Sequence, residues 1–169
     1  MAVGGSHRGG NGRAGNGRSA SLPPPNGEAR AGARKVFKIA SNFAAGHEVQ
    51  LSILADVKKA GFDEHCFFAI KLALEEALVN AIKHGNRLDP EKTVVITASV
   101  TPRRAEITVE DQGPGFERND VPDPTCEENL EKCSGRGILL IESYMNRVRW
   151  DRGGRRLKMV KENKPDREC

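Results

Sequence analysis

The sequence has only four cysteines and no long apolar run, which argues against a zinc-binding protein and against a membrane-spanning one. No run of about 18 apolar residues occurs, so no transmembrane helix is predicted. The basic residues near the N-terminus are not followed by an apolar segment, so no secretory signal peptide is predicted either. The four cysteines form no Cys-x-x-Cys pair, which argues against a zinc site and favours reduced thiols in a cytoplasmic protein.

Aromatic residues are scarce throughout the chain and absent from residues 1–34. This segment holds nine of the 18 glycines and five arginines against one acidic residue, so its excess of four positive charges equals the net charge of the whole protein, +4. Such a composition buries too little apolar surface to offset the entropy lost on ordering. We therefore predict a disordered tail over 1–34, a folded domain over 35–162 and a flexible end over 163–169. The arginines of residues 1–34 are sparse and have no aromatic residues between them. We therefore do not expect this segment to bind nucleic acid.

The apolar pattern of the folded domain predicts the element order β-α-α-β-β-loop-α-β-β. The predicted strands are 35–41, 93–101, 105–111, 147–151 and 155–162, and the predicted helices are 47–60, 64–84 and 137–145. This order leaves few places for parallel crossovers, so we expect an α+β fold. It would be a two-layer sandwich with helices on one face of a mostly antiparallel, mixed sheet. The long loop 112–136 is unusual inside a compact domain unless it is functional.

The second predicted helix carries a narrow polar stripe. At about 100° per residue, Asn80 and Lys83 fall within about 40° of Glu76 on the helical wheel, whereas Glu75 lies outside the stripe. A solvated face with some charge pairing is the simpler interpretation of such a stripe taken alone. Asparagine is mildly unfavourable inside a helix, however, which favours a functional role for this one.

A glycine-rich segment follows the third predicted strand. Asp111 ends that strand, and Gly113 and Gly115 allow close backbone approach after it. A carboxylate in this position could accept a hydrogen bond from an exocyclic amine such as that of adenine. Taken in isolation, the segment is better explained as a plain Asp-x-Gly turn that leaves a strand. The spacing of its glycines is not that of a dinucleotide-binding fingerprint.

A second glycine-rich segment stands where the last predicted helix begins. Gly135 and Gly137 flank Arg136, so free backbone N–H groups, the positive end of the helix dipole and a guanidinium could converge on an anion. A glycine-rich helix start with an exposed arginine is the alternative. The segment is not a Walker A loop, because no Gly-Lys-Ser/Thr follows.

Taken together, these three segments resemble the motifs of the GHKL ATPase superfamily, and within it those of bacterial anti-sigma-factor serine/threonine kinases. LEEALVNAIKHGN at 74–86 resembles the N box, DQGPGF at 111–116 the G1 box, and SGRGILLIESYMNRV at 134–148 the G2 box. The resemblance covers residues 36–162. The fold that it implies, the Bergerat or histidine-kinase-like ATPase fold, agrees with the sandwich expected from the element order.

The resemblance also implies roles for the motif residues. Glu76 corresponds to the glutamate that acts as general base or orients the nucleophile, Asn80 to the Mg²⁺ ligand, and Asp111 to the aspartate that binds the adenine amine. The other residues expected to contact ATP are Lys83, His84, Gly113, Gly115, Gly135, Arg136 and Gly137. Residues 116–134 correspond to the ATP lid. One departure is that residues 155–158 read Arg-Arg-Leu-Lys where relatives often have a threonine near adenine.

The function implied by the resemblance is that of an ATP- and Mg²⁺-dependent serine/threonine protein kinase. It would act as an anti-sigma factor or regulator in a partner-switching pathway and phosphorylate a small STAS-type antagonist. Its expected partners are ATP, a STAS-type anti-anti-sigma protein, a sigma factor and a second copy of the chain. Two alternatives stay open: a nucleotide-gated module that sequesters a sigma factor with little turnover, and a sensor-kinase-like ATPase domain.

Overall fold

The computed structural model describes residues 33–115 and 136–163. Its elements are β1 (Lys35–Ala40), α1 (Phe43–Lys59), α2 (Glu64–Val79), a π-helical turn (Asn80–Gly85), β2 (Thr93–Val100), β3 (Arg104–Glu110), α3 (Arg136–Tyr144), β4 (Arg147–Asp151) and β5 (Arg156–Glu162). Several predicted features lie outside these ranges: the predicted lid 116–134, Gly135 and residues 1–32 of the predicted tail. In those ranges, no helix combines the length and apolar character needed to cross a membrane.

The five strands form one sheet in the order β1-β2-β3-β5-β4, and each neighbouring pair is antiparallel. The helix pair α1 and α2 returns the chain to the end of the sheet where β1 stops, so Ala40 lies opposite Thr93. Strands β3 and β4 run in the same direction, but β5 lies between them. The parallel pairing expected of a mixed sheet is therefore not found among the described strands, while the α+β two-layer sandwich is confirmed.

Alternation along the strands separates the core from an open face. Ile96, Ile107 and Met159 from three neighbouring strands are fully buried, as are Ile70 and Leu74 from α2. Full burial of such a side chain stabilises the fold by about 1.5–3 kcal/mol relative to leaving it exposed. The helices thus cover one face of the sheet, and α2 lies in the middle of the core.

The helix starts are fixed by side-chain caps. The predicted cap at Asp63 is present: its carboxylate accepts a hydrogen bond from the Cys66 backbone N–H at 2.6 Å. This bond is the main reason why the pKa of Asp63 is lowered. Helix α1 begins at Phe43 and not at residue 47, because the Asn42 side chain caps it through the Ala45 N–H at 2.9 Å.

Two residues near the end of β5 form side-chain hydrogen bonds with backbone carbonyls of other elements. The buried Lys161 donates from Nζ to the carbonyl of Tyr144 at 2.8 Å, which anchors the C-terminal end of α3. Asn163 belongs to the flexible end in the sequence-based division, yet its side chain donates to the carbonyls of Pro102 and Gly61. The ordered part of the chain therefore continues at least one residue further than the sequence suggested.

Candidate functional site

A cavity of about 420 Å³ opens between α2, the start of α3 and the ends of β3 and β5. A cavity of this size is in the range of small-molecule binding sites. Each of the three motif segments contributes to its lining. The sequence-predicted site residues that line it are Glu76, Asn80, Lys83, His84, Asp111, Gly115 and Gly137.

Two of the predicted site residues that the structure describes do not line the cavity. Gly113 is buried directly behind Asp111, and Arg136 is exposed at the first position of α3. Gly135 lies outside the described residues. The cavity also has an apolar wall that the motifs did not predict. This wall comes from the helices and the sheet and includes Ala77, Val109, Ile138, Trp150 and Leu157.

The helix that carries the polar stripe is not α-helical throughout. It is α-helical to Val79 and continues as a π-helical turn over Asn80–Gly85, with the Asn86 N–H bonded to the carbonyl of Ala81 at 2.8 Å. The prediction of a regular α-helix to residue 84 was wrong in this respect. π-helical turns are frequent at functional sites, and this one forms the side of the cavity that carries Lys83 and His84.

One end of the cavity, here called the Glu76 end, consists of Glu76, Asn80 and Gly137. Gly137 lies directly against Glu76: a Cβ atom there would overlap Oε2 of Glu76, which would have to move aside, and would lie 3.7 Å from Nδ2 of Asn80. That amide nitrogen is buried and has no hydrogen-bond partner among the described residues. A buried polar group without a partner costs about 1–3 kcal/mol, so a ligand that satisfies it gains affinity.

The donors at the Glu76 end fit a hard divalent cation. Carboxylate and amide oxygens are the protein ligands that suit Mg²⁺, which retains several waters and takes further ligands from phosphate groups. Glu76 and Asn80 are one helical turn apart and both line the cavity. Glu75 is exposed and is not among the lining residues, as the helical wheel predicted.

The other end of the cavity, here called the Asp111 end, consists of Gly85, Asp111 and Gly113. The Asp111 carboxylate accepts a hydrogen bond from the Gly113 N–H at 2.7 Å. Burial raises the pKa of Asp111, and the Gly113 hydrogen bond and the charge of Arg155 offset part of this rise. The result is a half-buried acceptor at the cavity wall with capacity for a further donor.

The two glycines of the Asp111 end allow an approach that no other residue permits. A Cβ atom at Gly85 would lie 2.6 and 2.7 Å from the two carboxylate oxygens of Asp111. A Cβ atom at Gly113 would overlap the carbonyl oxygen of Gly85. The end of the π-helical turn is therefore in direct contact with the start of the segment after β3.

Asn86, which the sequence analysis treated only as part of a motif and a helix end, organises this contact. It is fully buried, its amide donates to the Thr93 carbonyl at 3.0 Å, and its Oδ1 accepts from the Gln112 N–H at 2.8 Å. Gln112 in turn accepts a hydrogen bond from the Thr93 N–H at 2.7 Å. Asn86 thus links the helix end, β2 and the segment after β3.

A separate group of potential metal ligands lies at the start of α2. One ligand atom from each of Asp63, His65 and Cys66 falls within 4.8 Å of the others. The Asp63 carboxylate is already used as the cap of α2, so we assign this group a structural role.

Residues 40–161 match the family profile described as the histidine kinase-like ATPase domain. The chain belongs to this family. This confirms the resemblance to the GHKL superfamily that was drawn from the three motif segments. The cavity lies in the part of the histidine kinase-like ATPase domain where those segments meet.

Curated relatives of this histidine kinase-like ATPase domain have two kinds of name. The Anti-sigma F factor of Clostridium perfringens is 41% identical over 80 residues, which are 46% of this chain and 56% of that protein. The Serine-protein kinase RsbW of Bacillus licheniformis is 29% identical over 109 residues, which are 60% of this chain and 67% of that protein. The matches thus span between about half and two thirds of these relatives' lengths.

A solved structure with a similar fold contains the RsbU and RsbW domains of Rv1364c from Mycobacterium tuberculosis. The similarity covers 78% of this chain and 31% of that chain, with a TM-score of 0.53 and 16% sequence identity. At this identity the likeness concerns the fold alone, and it agrees with the two-layer sandwich described above.

Proposed function

We propose that this protein is a Mg²⁺- and ATP-dependent serine/threonine protein kinase that works as an anti-sigma factor or regulator in a partner-switching pathway. Its protein substrate would be a small STAS-type antagonist. The observation that carries the proposal is that residues of all three motif segments line a single cavity, with polar side chains from the first two and Gly137 from the third. The names of the two curated relatives, an anti-sigma factor and a serine-protein kinase, support the choice of reaction and partner.

In this proposal the nucleotide spans the cavity from one end to the other. Glu76 and Gly85 both line the cavity, one at each of its two ends, and are nine positions apart in the chain. The adenine amine donates to Asp111, and the phosphates lie at the Glu76 end near the start of α3. Backbone N–H groups and the dipole of a helix N-terminus stabilise anions there.

The chemistry assigned to the Glu76 end is phosphoryl transfer, which depends mainly on positioning and charge neutralisation. When bound, Mg²⁺ would neutralise charge on the phosphates, and the Asn80 side-chain oxygen is the residue proposed to hold it. The Glu76 carboxylate accepts the proton of the substrate serine as its oxygen forms a bond to the γ-phosphorus. The bond from that phosphorus to the oxygen of the leaving ADP breaks in the same transfer. A correctly placed base contributes about a hundredfold to ten-thousandfold to such a rate.

A second candidate is a nucleotide-gated binding module that sequesters a sigma factor with little turnover. It is favoured by the name of the relative from Clostridium perfringens, which describes an anti-sigma factor and no transfer activity. The two candidates differ at Glu76, because sequestration needs no proton acceptor at the Glu76 end.

Two measurements on the full-length chain test the proposal. Calorimetry with ATP in the presence of Mg²⁺ and in EDTA should give tighter binding with the metal. Incubation with γ-labelled ATP and a STAS-type protein should then give one labelled serine on that protein. Absence of ATP binding contradicts both candidates, whereas Mg²⁺-dependent binding without transfer favours the binding module.

A further inference from the structure

Arg155 lines the cavity although it belongs to none of the three motif segments. It precedes β5 in the turn that joins β4 to β5, and it is exposed. Gly115 packs closely against this turn, since a Cβ atom at Gly115 would overlap the Gly153 carbonyl and lie 3.2 Å from Cγ of Arg155. The stem of the Arg155 side chain is therefore close to the segment that begins at Asp111.

The backbone and the side chain of Arg155 are both positioned at the Asp111 end. The Asp111 N–H donates to the Arg155 carbonyl at 3.0 Å, and Nε of Arg155 donates to the Arg152 carbonyl at 3.1 Å. The charge of Arg155 also lowers the pKa of Asp111, which indicates that the guanidinium is within electrostatic reach of that carboxyl. The Nε hydrogen bond lies in the plane of the guanidinium and so does not occupy its flat faces.

The two arginines that flank Arg155 in the same hairpin form ion pairs with a carboxylate, whereas Arg155 has none among the described residues. Arg152 and Arg156 both form ion pairs with Glu110. Within residues 33–115 and 136–163, no carboxylate lies within ion-pair distance of Arg155. Among the described residues, therefore, Arg155 is the arginine of this hairpin that lines the cavity without a direct ion pair.

We propose that Arg155 covers the exposed face of the bound purine and is a further ligand-binding residue of the Asp111 end. The inference rests on the proposed nucleotide binding. A guanidinium is planar and weakly hydrated, so it stacks on aromatic rings. A phosphate is the other ligand that suits an arginine, but the α3 N-terminus and Asn80 lie at the opposite end of the cavity from Gly85 and Asp111.

The test compares binding of adenosine, ADP and ATP by calorimetry on the full-length chain. Arg155→Ala should weaken all three by the same factor, about threefold to thirtyfold. Arg155→Tyr restores a flat surface without the charge or the Nε hydrogen bond, and it should recover most of the lost adenosine affinity. Arg156→Ala is the matched control, because Arg156 is the adjacent arginine and does not line the cavity; it should leave all three affinities unchanged.

Each other outcome has a defined meaning. A loss confined to ADP and ATP, with adenosine unchanged, would assign Arg155 to the phosphates and overturn the inference. Failure of Arg155→Tyr to recover adenosine binding would mean that the substitution acts by loosening the turn, which also overturns it. If the wild-type chain binds ATP and Arg155→Ala binds equally well, the inference alone fails. If the wild-type chain binds none of the three ligands, the proposed function fails with it.

Discussion

The two ends of the cavity differ in how far their polar groups are satisfied within the protein. At the Asp111 end, the carboxylate has an N–H donor, and the adjacent Asn86 uses both its amide nitrogen and its amide oxygen in hydrogen bonds. At the Glu76 end, the buried amide nitrogen of Asn80 has no partner among the described residues. The first end is held together by internal hydrogen bonds before a ligand binds, whereas the second has a buried donor whose partner a ligand would supply. Under the proposed function, we therefore expect changes at the Asp111 end to alter stability and affinity, and changes at the Glu76 end to alter transfer.

The sharpest test of this difference is Glu76→Gln. The variant should bind ATP nearly as well as the wild type but lose about a hundredfold to ten-thousandfold in phosphoryl transfer, because only the proton acceptor is removed. Glu75→Gln is the matched control, since Glu75 is exposed and outside the cavity. Calorimetry and a labelled-serine assay measure the two quantities separately. An equal loss of transfer in both variants would contradict the role given to Glu76.

At the opposite end, Asp111→Asn should act on affinity. The amide presents a donor where the carboxylate presents an acceptor, and a mismatch of this kind costs about 1–3 kcal/mol, or about tenfold to a hundredfold in ATP affinity. Asp151→Asn serves as control, because Asp151 pairs with Arg149 on β4 and does not line the cavity. Adenosine titrations of both variants check the expectation. Unchanged adenosine binding in Asp111→Asn would remove the reason for placing the base at this end.

Asn86→Ala should reduce stability by about 1–3 kcal/mol, because it leaves the Thr93 carbonyl and the Gln112 N–H without a partner. Asn146→Ala is a suitable comparison: Asn146 also accepts a backbone N–H bond, from Glu162, but it is exposed. Its loss should cost only a fraction of that amount. Urea unfolding of the two variants without nucleotide gives the comparison, and equal destabilisation would mean that the Asp111 end is not specially preorganised.

The smallest expected effect is a pH dependence at Asp111. Because the pKa of Asp111 is raised in the folded protein, the folded state binds more protons than the unfolded chain between the ordinary value of 3.8 and the raised one. The free energy of unfolding contributed by this group therefore falls as pH rises through that interval. Asn cannot titrate, so the stability of Asp111→Asn relative to wild type should increase with pH. Unfolding curves of both proteins between about pH 3.5 and 7 test this, and a constant difference would contradict it.

Most of the helices and strands could be predicted from local sequence patterns. The strands of the two hairpins are bounded by turn residues, and Asp63 is a recognisable helix cap, so these elements were predicted to within about two residues. The start of α1 was missed because residues 43–46, Phe-Ala-Ala-Gly, are too few and too small to show an apolar period. The cap at Asn42 was the available signal.

The candidate site was predictable only in part, for a different reason. Glu76 and Asn80 could be assigned to one surface because helical periodicity relates residues that are close in sequence. The contact between Gly85 and Asp111 joins elements that are far apart in sequence, and no periodicity encodes it. Trp150 was missed as a lining residue for the same reason, since its position depends on how β4 is placed in the sheet. Arg155 was noted only as part of a departure from the family pattern near adenine.

The π-helical turn Asn80–Gly85 also affects which sequence changes this family member can tolerate. Such a turn contains one residue more than the regular turn of an α-helix. Deleting a single residue within it would permit a uniform helix and would withdraw Gly85 from its contact with Asp111. Length variation among homologues should therefore be rarer in this segment than substitution, and a homologue with a gap here must build the wall of its cavity from other residues.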